Sequence, residues 1–448
     1  MLRLYKAAAG TNGHHAQHGR LVGRGCGKKR LCISLPATAG RGFTPMAIHA
    51  LKARYVFPVS AGPIANGLVS IQGERIAAVG ERVAADTVED LGNAAILPGL
   101  VNAHTHLEFS DLTKPLGEPA VGFADWIRRV IEYRRQTAGS NPRAVEKGLK
   151  ECARSGVTTI GEIAQPDWPG ASLRQHTADG TAFLELIAPT ADRIEAAVGC
   201  VKRTDEDTPD WQFGLSPHAP YSIHRDLLQK IIELSVHRQI PLAMHLAESR
   251  EEIQWLDEGK GPLKDLLMDL GAYDPAALSR CSRPLDYLEM LAVADRALII
   301  HGNYLSRDEI GLLADHAETM AVVYCPRTHD YFGHDRYPLE QMLSAGATVC
   351  LGTDGRASSP DLDLLAEIRH VARLYPDISP RTVLQLGTLQ GAKALGREGE
   401  IGSLQAGKYA NLAIVPLLDS KSADPYELLF DSNKPVAATW FRGKRVCG

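Results

Sequence analysis

Four apolar, strand-like runs in this chain of 448 residues each end on a side chain able to hold a metal ion, and few folds can use such a pattern. Leu97-Pro98-Gly99-Leu100-Val101-Asn102-Ala103 leads into His104-Thr105-His106. Pro241-Leu242-Ala243-Met244 closes on His245, with Glu248 just beyond. Ala297-Leu298-Ile299-Ile300 closes on His301, and Thr348-Val349-Cys350-Leu351-Gly352-Thr353 on Asp354, followed by Gly355. Alternate residues of a strand share a face, so the His104 and His106 rings can reach one ion. Runs that are apolar throughout are strands covered on both sides, as in parallel sheets. Their polar endings then gather at the C-terminal mouth of a parallel barrel.

The region between residues 95 and 351 alternates strand and helix. Strand patterns fall at Ala95–Asn102, Val157–Ile163, Ala182–Ala188, Gln212–Ser216, Pro241–Met244, Ala297–Ile300, Met320–Tyr324 and Thr348–Leu351. Helical periodicity fills the gaps at Ala144–Ser155, Arg225–Arg238, Arg307–Ala317 and Leu339–Ala345. This predicts an α/β protein with a (β/α)8 TIM barrel. An extra amphipathic helix, Phe123–Arg135, falls between the first two strands and is placed to cover the mouth. Both ends of the chain read differently. Leu68 to Gly80 reads as two strands joined by a Gly-containing turn, and Gly407–Val415 with Val436–Val446 has the same short, turn-rich character. A small β-sandwich formed by both chain ends, residues 46–97 plus 398–448, is expected to flank a barrel of residues 98–397.

Residues 1–45 are unlike the rest. They carry Arg3, Lys6, Arg20, Arg24, Lys28, Lys29, Arg30 and Arg41, and no acidic residue precedes Glu74. No apolar stretch there has the length of a secretory h-region. The expectation is a disordered or spurious leader, with the ordered pattern beginning at Met46. The formal net charge of -4 argues against a nucleic-acid partner. No apolar run approaches the ~20 residues that span a bilayer. The eight cysteines form no Cys-x-x-Cys pair, and several sit in apolar runs, which suits core positions and a reducing cytoplasm.

Taken in order, Pro98-Gly99-Leu100-Val101-Asn102-Ala103-His104-Thr105-His106, His245-Leu246-Ala247-Glu248, His301-Gly302 and Gly352-Thr353-Asp354-Gly355 resemble the amidohydrolase superfamily of metal-dependent hydrolases. With Ser216-Pro217-His218-Ala219-Pro220-Tyr221-Ser222, the chain is most similar to the branch holding cytosine, guanine and S-adenosylhomocysteine deaminases and triazine chlorohydrolases. The resemblance covers roughly residues 47 to 448. It implies one divalent metal held by His104, His106, His245 and Asp354. Histidine nitrogen with aspartate oxygen suits Zn²⁺, and ferrous iron accepts the same set. The bridging lysine of binuclear relatives has no counterpart after the fourth strand, so a single ion is expected.

The resemblance also implies roles for the neighbouring residues. Glu248 would protonate a ring nitrogen, His301 would polarise or deprotonate the water, and Asp354 would pass a proton to departing ammonia. His218 and Glu108 would contact the substrate, while Trp126 and Phe109 could stack on a flat heterocycle. Arg327 either binds an anionic group or pairs with a structural acid such as Asp361. The segment Cys325–His334 and the Ser358-Ser359 pair depart from the relatives' pattern, which leaves the substrate open. The expected activity is deamination of a nitrogen heterocycle, a purine nucleoside derivative such as aminodeoxyfutalosine. The alternatives are a triazine-type chlorohydrolase or dealkylase on the same site, and a non-enzymatic metal-binding barrel. The expected partner is a small molecule, and a homo-oligomer is left open.

Overall fold

The computed structural model describes residues 47–448 apart from 138–140, 167, 169–176, 205–209 and 278–282. The expected leader lies outside the described residues. Eight parallel strands run in sequence order around a barrel: Leu100–Thr105, Val157–Ala164, Asp179–Leu186, Trp211–Pro217, Leu242–Leu246, Ala297–His301, Met320–Tyr324 and Val349–Leu351. They are numbered one to eight below. Side chains divide by face. Val101, Ala103, Ile163, Phe183, Ala243, Leu298, Ile300, Val323 and Cys350 form one buried cluster. Leu184, Leu215, Leu242, Met244, Ile299, Val322 and Leu351 pack with residues of the surrounding helices in another. This double burial is why the runs read as apolar throughout.

One expected boundary is corrected. The single strand Ala95–Asn102 is two strands: Ala94–Pro98 belongs to a terminal sheet, and Leu100–Thr105 is barrel strand one. Gly99 marks the break. Its N–H donates to Asn411 O at 2.7 Å, whereas Leu100 N–H donates to Gly156 O at 2.9 Å. A Cβ at Gly99 would lie 2.2 Å from Thr158 Oγ1, so a larger residue cannot make the crossing. A continuous apolar run conceals such a change of sheet, because both strands are fully buried.

The barrel closes between strands eight and one through side chains as well as backbone. Asn102 Nδ2 donates to Thr353 Oγ1 at 2.8 Å, and Thr353 N–H returns a bond to Asn102 Oδ1 at 3.1 Å. The N–H groups of Thr353 and Asp354 both donate to His104 O at 3.1 Å. The loop carrying Asp354 is thereby tied to the strand carrying His104 and His106. Gly352 permits this approach, since a Cβ there would lie 2.8 Å from His104 O.

The chain ends build two further sheets, one of four strands and one of six. In the larger, Leu412–Pro416 pairs antiparallel with Ala94–Pro98, with Leu412 opposite Pro98, joining the two ends of the described chain. Leu51, Val69, Ile76, Ile96, Ile414 and Trp440 fill the core of the sandwich. Asp179, at the start of barrel strand three, accepts hydrogen bonds from Arg397, Arg442 and Thr159 and so locks barrel to sandwich. No described helix is long and apolar enough to cross a membrane. The extra helix is present as Phe123–Thr137. It buries Phe123, Ala124 and Val130, and its first N–H donates to Glu251 Oε1 at 2.9 Å.

Candidate active site

The strand endings converge at one end of the barrel. His104 Nε2 lies 3.3 Å and His106 Nε2 3.6 Å from Asp354 Oδ1. His106 Nε2 and His245 Nε2 are 3.4 Å apart. His301 completes a second grouping with His104 and His245, and all five residues are buried. Hydrogen-bond geometry at the end of strand five orients one ring: His245 Nδ1 lies 3.1 Å from His218 O. A carbonyl only accepts, so Nδ1 carries the proton and the Nε2 lone pair faces the cluster.

Both ring nitrogens of His104, and Nδ1 of His106, are buried without a hydrogen-bond partner. Unpaired buried polar atoms are rare and costly, so their clustering here calls for a ligand. Burial pushes the imidazoles toward the neutral form: His106 and His301 fall to about 3, and His245 drops well below the ordinary value. Neutral imidazole is the metal-binding form. Burial alone would raise Asp354, but its contact with His104 outweighs this and holds the carboxyl well below its usual range. Three imidazoles and one carboxylate sharing a pocket, with orphaned nitrogens among them, fit a divalent metal.

Backbone strain is concentrated in the same place. Ala247, His301 and Asp354 have φ of 54, 68 and 56°, left-handed values that L residues seldom adopt. Neighbours hold each of them. Tyr337 OH donates to His301 O at 3.0 Å, and Thr105 Oγ1 donates to Asp354 O at 3.0 Å. Glu252 accepts the N–H of Ala247 and that of Glu248, both at 2.9 Å, which fixes the turn presenting Glu248. Glu248 Oε1 then lies 3.4 Å from His301 Nε2, with Glu248 only 4% exposed. Burial pushes the Glu248 carboxyl well up, and the nearby Asp354 and Glu252 carboxylates add to this. Burial thus favours the neutral form of both groups.

The remaining residues expected at the site divide. His218 sits on the rim of strand four. Its Nδ1 is 2.6 Å from Ser222 Oγ and its Nε2 is 3.8 Å from Glu185. Glu108 is bonded to Arg134 at 2.6 Å and to Gln165 at 3.2 Å. Arg134 also reaches Glu185 at 3.0 Å, and despite the cost of burial holds that carboxyl at about 2. Glu108, expected to contact the substrate, is thus ion-paired with a cation from the extra helix.

Trp126 donates its Nε1–H to Ala357 O at 2.9 Å and packs against Phe123 and Phe332. Phe109 is buried beside His106 and Tyr133. Both rings, expected to stack on a flat heterocycle, pack against neighbouring aromatic residues, Phe109 buried and Trp126 partly exposed. Arg327 does not project freely into the mouth. Its Nε donates to Glu367 at 2.5 Å and its Nη2 to Asp361 at 2.7 Å, so it takes the structural role. Two carboxylates thus engage one edge of its planar fork.

Sequence reasoning missed four supporting residues. Glu252 had a local signal, the Ser249-x-x-Glu252 pattern of a helix start, but its carboxylate serves Ala247 and Glu248 instead. Glu162, at the end of strand two, accepts Leu107 N–H with both oxygens at 3.1 Å and so anchors the residue after His106. Ser358 bonds Asp354 and Thr328 bonds Ser358; both fall in segments noted for departing from the resemblance, but no role was legible there.

Residues 95–446 match the amidohydrolase family. The chain belongs to that family. Among relatives of this amidohydrolase, the 5-methylthioadenosine/S-adenosylhomocysteine deaminase of Moorella thermoacetica is 31% identical over 391 residues, covering 81% of this chain and 84% of the relative. The aminodeoxyfutalosine deaminase of Deinococcus radiodurans is 28% identical over 355 residues, covering 75% and 82%. The crystal structure of an adenosine deaminase from Xanthomonas campestris with bound zinc superimposes with a TM-score of 0.74 at 26% identity. That match covers 90% of this amidohydrolase and 94% of the other chain.

Proposed function

We propose that this amidohydrolase is a mononuclear, zinc-dependent aminohydrolase that deaminates a purine nucleoside derivative. The observation that carries the reading is the Glu248–His301 pair, 3.4 Å apart and buried, beside the cluster of His104, His106, His245 and Asp354. The deaminase names of the relatives in Moorella and Deinococcus support it.

His104, His106, His245 and Asp354 would hold the ion. A divalent metal bound there supplies Lewis acidity and lowers the pKa of a coordinated water toward ~7. The chain's own groups do the rest. Glu248, kept protonated by its burial, donates its proton to a ring nitrogen of the substrate, which makes the adjacent aminated carbon electrophilic. His301 accepts the proton of the attacking water at Nε2, its neutral state prepared by burial. Asp354, ionised at rest, takes the hydroxyl proton of the adduct and passes it to the leaving amine, and the water proton held by His301 returns to Glu248. Water adds at the carbon, the C–N bond breaks, ammonia departs and a ring carbonyl remains. His218 presents Nε2 on the strand-four rim to accept from a substrate hydroxyl. The Phe123–Thr137 helix, pinned by Arg134, covers the mouth and shelters the reaction from bulk water.

The test is ammonia release from a panel of aminated purines, nucleosides and pyrimidines, with metal content measured on the same preparation. Deamination of a purine nucleoside with about one equivalent of metal is expected. Chloride or alkylamine release from a triazine without ammonia from any nucleoside would overturn the reading.

A further inference from the structure

Asp354 supplies one oxygen, Oδ1, toward His104 and His106; its other oxygen is held from behind. Ser358 Oγ donates to Asp354 Oδ2, and Thr328 Oγ1 lies 3.2 Å from Ser358 Oγ. Proton counting gives the chain a direction. An ionised carboxylate can only accept, and a hydroxyl has a single proton, so Ser358 spends its proton on Asp354. Thr328 must then be the donor to Ser358. The order Thr328 to Ser358 to Asp354 is the only one that satisfies all three groups.

The three residues are sealed from solvent: Thr328 is 2%, Ser358 1% and Asp354 5% exposed. They come from two elements. Thr328 lies on the helix Pro326–Phe332 after strand seven, and Ser358 in the turn after Asp354, where its N–H donates to Gly355 O at 3.1 Å. The helix is itself clamped by Arg327 on Glu367 and Asp361. Asp354 needs such support because its backbone is left-handed and its side chain stands beyond the end of strand eight. Without a bond on Oδ2 the carboxylate is free to rotate, and Oδ1 would leave its position 3.3 and 3.6 Å from the two histidine nitrogens.

We infer that Ser358 and Thr328 are positioning residues that hold Asp354 in its metal-binding orientation. The helix after strand seven is thereby linked to metal affinity. The inference rests on the reading of the cluster as a metal site, and the experiment separates the two.

Zinc stoichiometry by elemental analysis and zinc affinity by chelator competition are measured for the wild type, Ser358→Ala, Thr328→Val and Thr328→Ser. Partners of ligating residues affect metal affinity by about 10- to 100-fold, so Ser358→Ala is expected to weaken zinc by that factor. Thr328→Val is expected to weaken it by a smaller factor, and Thr328→Ser, which keeps the donor, to restore it. The melting temperature of the metal-free forms should change little, whereas a purely structural role would lower it throughout. A wild type that binds no zinc would overturn the metal reading and this inference together. A wild type with one zinc, and a Ser358→Ala variant within twofold of its affinity, would overturn the inference alone. If Ser358→Ala fails to fold, Thr328→Val decides, and an affinity within twofold of wild type refutes the role.

Discussion

Replacing Glu248 with Gln tests the chemistry while leaving the architecture in place. Burial and the nearby carboxylates push the Glu248 carboxyl well up toward its protonated form, so the amide, equal in volume, perturbs the charge there little. The backbone contacts of Glu248 survive too. Its N–H still donates to Glu252 at 2.9 Å, and its carbonyl still accepts from Asn303 Nδ2 at 2.8 Å. The side chain keeps a polar atom facing His301 Nε2, now 3.4 Å from Oε1. Stability should therefore shift by less than about 1 kcal/mol, within the range of volume-conserving changes. The amide can still hydrogen-bond to a ring nitrogen but cannot transfer a proton. General acid–base groups contribute about 10²–10⁴-fold, a rise of roughly 3–5 kcal/mol in the activation free energy of the reaction. The assay is steady-state ammonia release with metal content and a denaturation curve on the same sample. The expected outcome is one equivalent of metal, a near-native midpoint and kcat down at least 100-fold. A variant with kcat within threefold of wild type would refute the assignment, and loss of metal or fold would show Glu248 to be structural.

Arg327→Ala is expected to destabilise the fold by about 3 kcal/mol or more, because Glu367 is left buried and uncompensated. Its KM effects should be equal for charged and neutral substrates, and a selective rise for anionic ones would contradict the structural role. Glu252→Ala leaves the buried N–H groups of Ala247 and Glu248 without acceptors, at roughly 1–3 kcal/mol each, and should lower kcat without lowering metal content. Stripping the metal should lower the unfolding midpoint, since a ligand at 1,000 times its Kd adds about 4 kcal/mol; an unchanged midpoint would count against a resident ion. His106 and His301 titrate at about 3 in the fold against 6.5 ordinarily, so the unfolded chain binds more protons between those values. Stability is then full above about pH 6.5 and falls as the pH drops toward 3. Urea unfolding across that window should show the loss, and a flat profile would mean the imidazoles are not buried neutral.

The sequence alone determined the barrel and its metal-capable endings, because both are written locally. A strand covered on two faces must be apolar along its length, and its chemistry must wait for the end, as at His245, His301 and Asp354. The helices Arg225–Arg238 and Leu339–Ala345 were legible for the same reason, their periodicity being set by neighbours within a turn or two. Gly99 escaped because a change of sheet leaves no mark on a run whose two halves are equally buried. Only the tertiary structure could decide between the two fates of Arg327, since Glu367 lies 40 positions away in the chain and meets it through packing. Glu108 is likewise neutralised by Arg134 from the extra helix, and Asp354 is held by Ser358 and Thr328 from two elements. A residue's type limits which bonds it can make, but which partner arrives is a property of the folded chain, where distant segments compete for the same donors and acceptors.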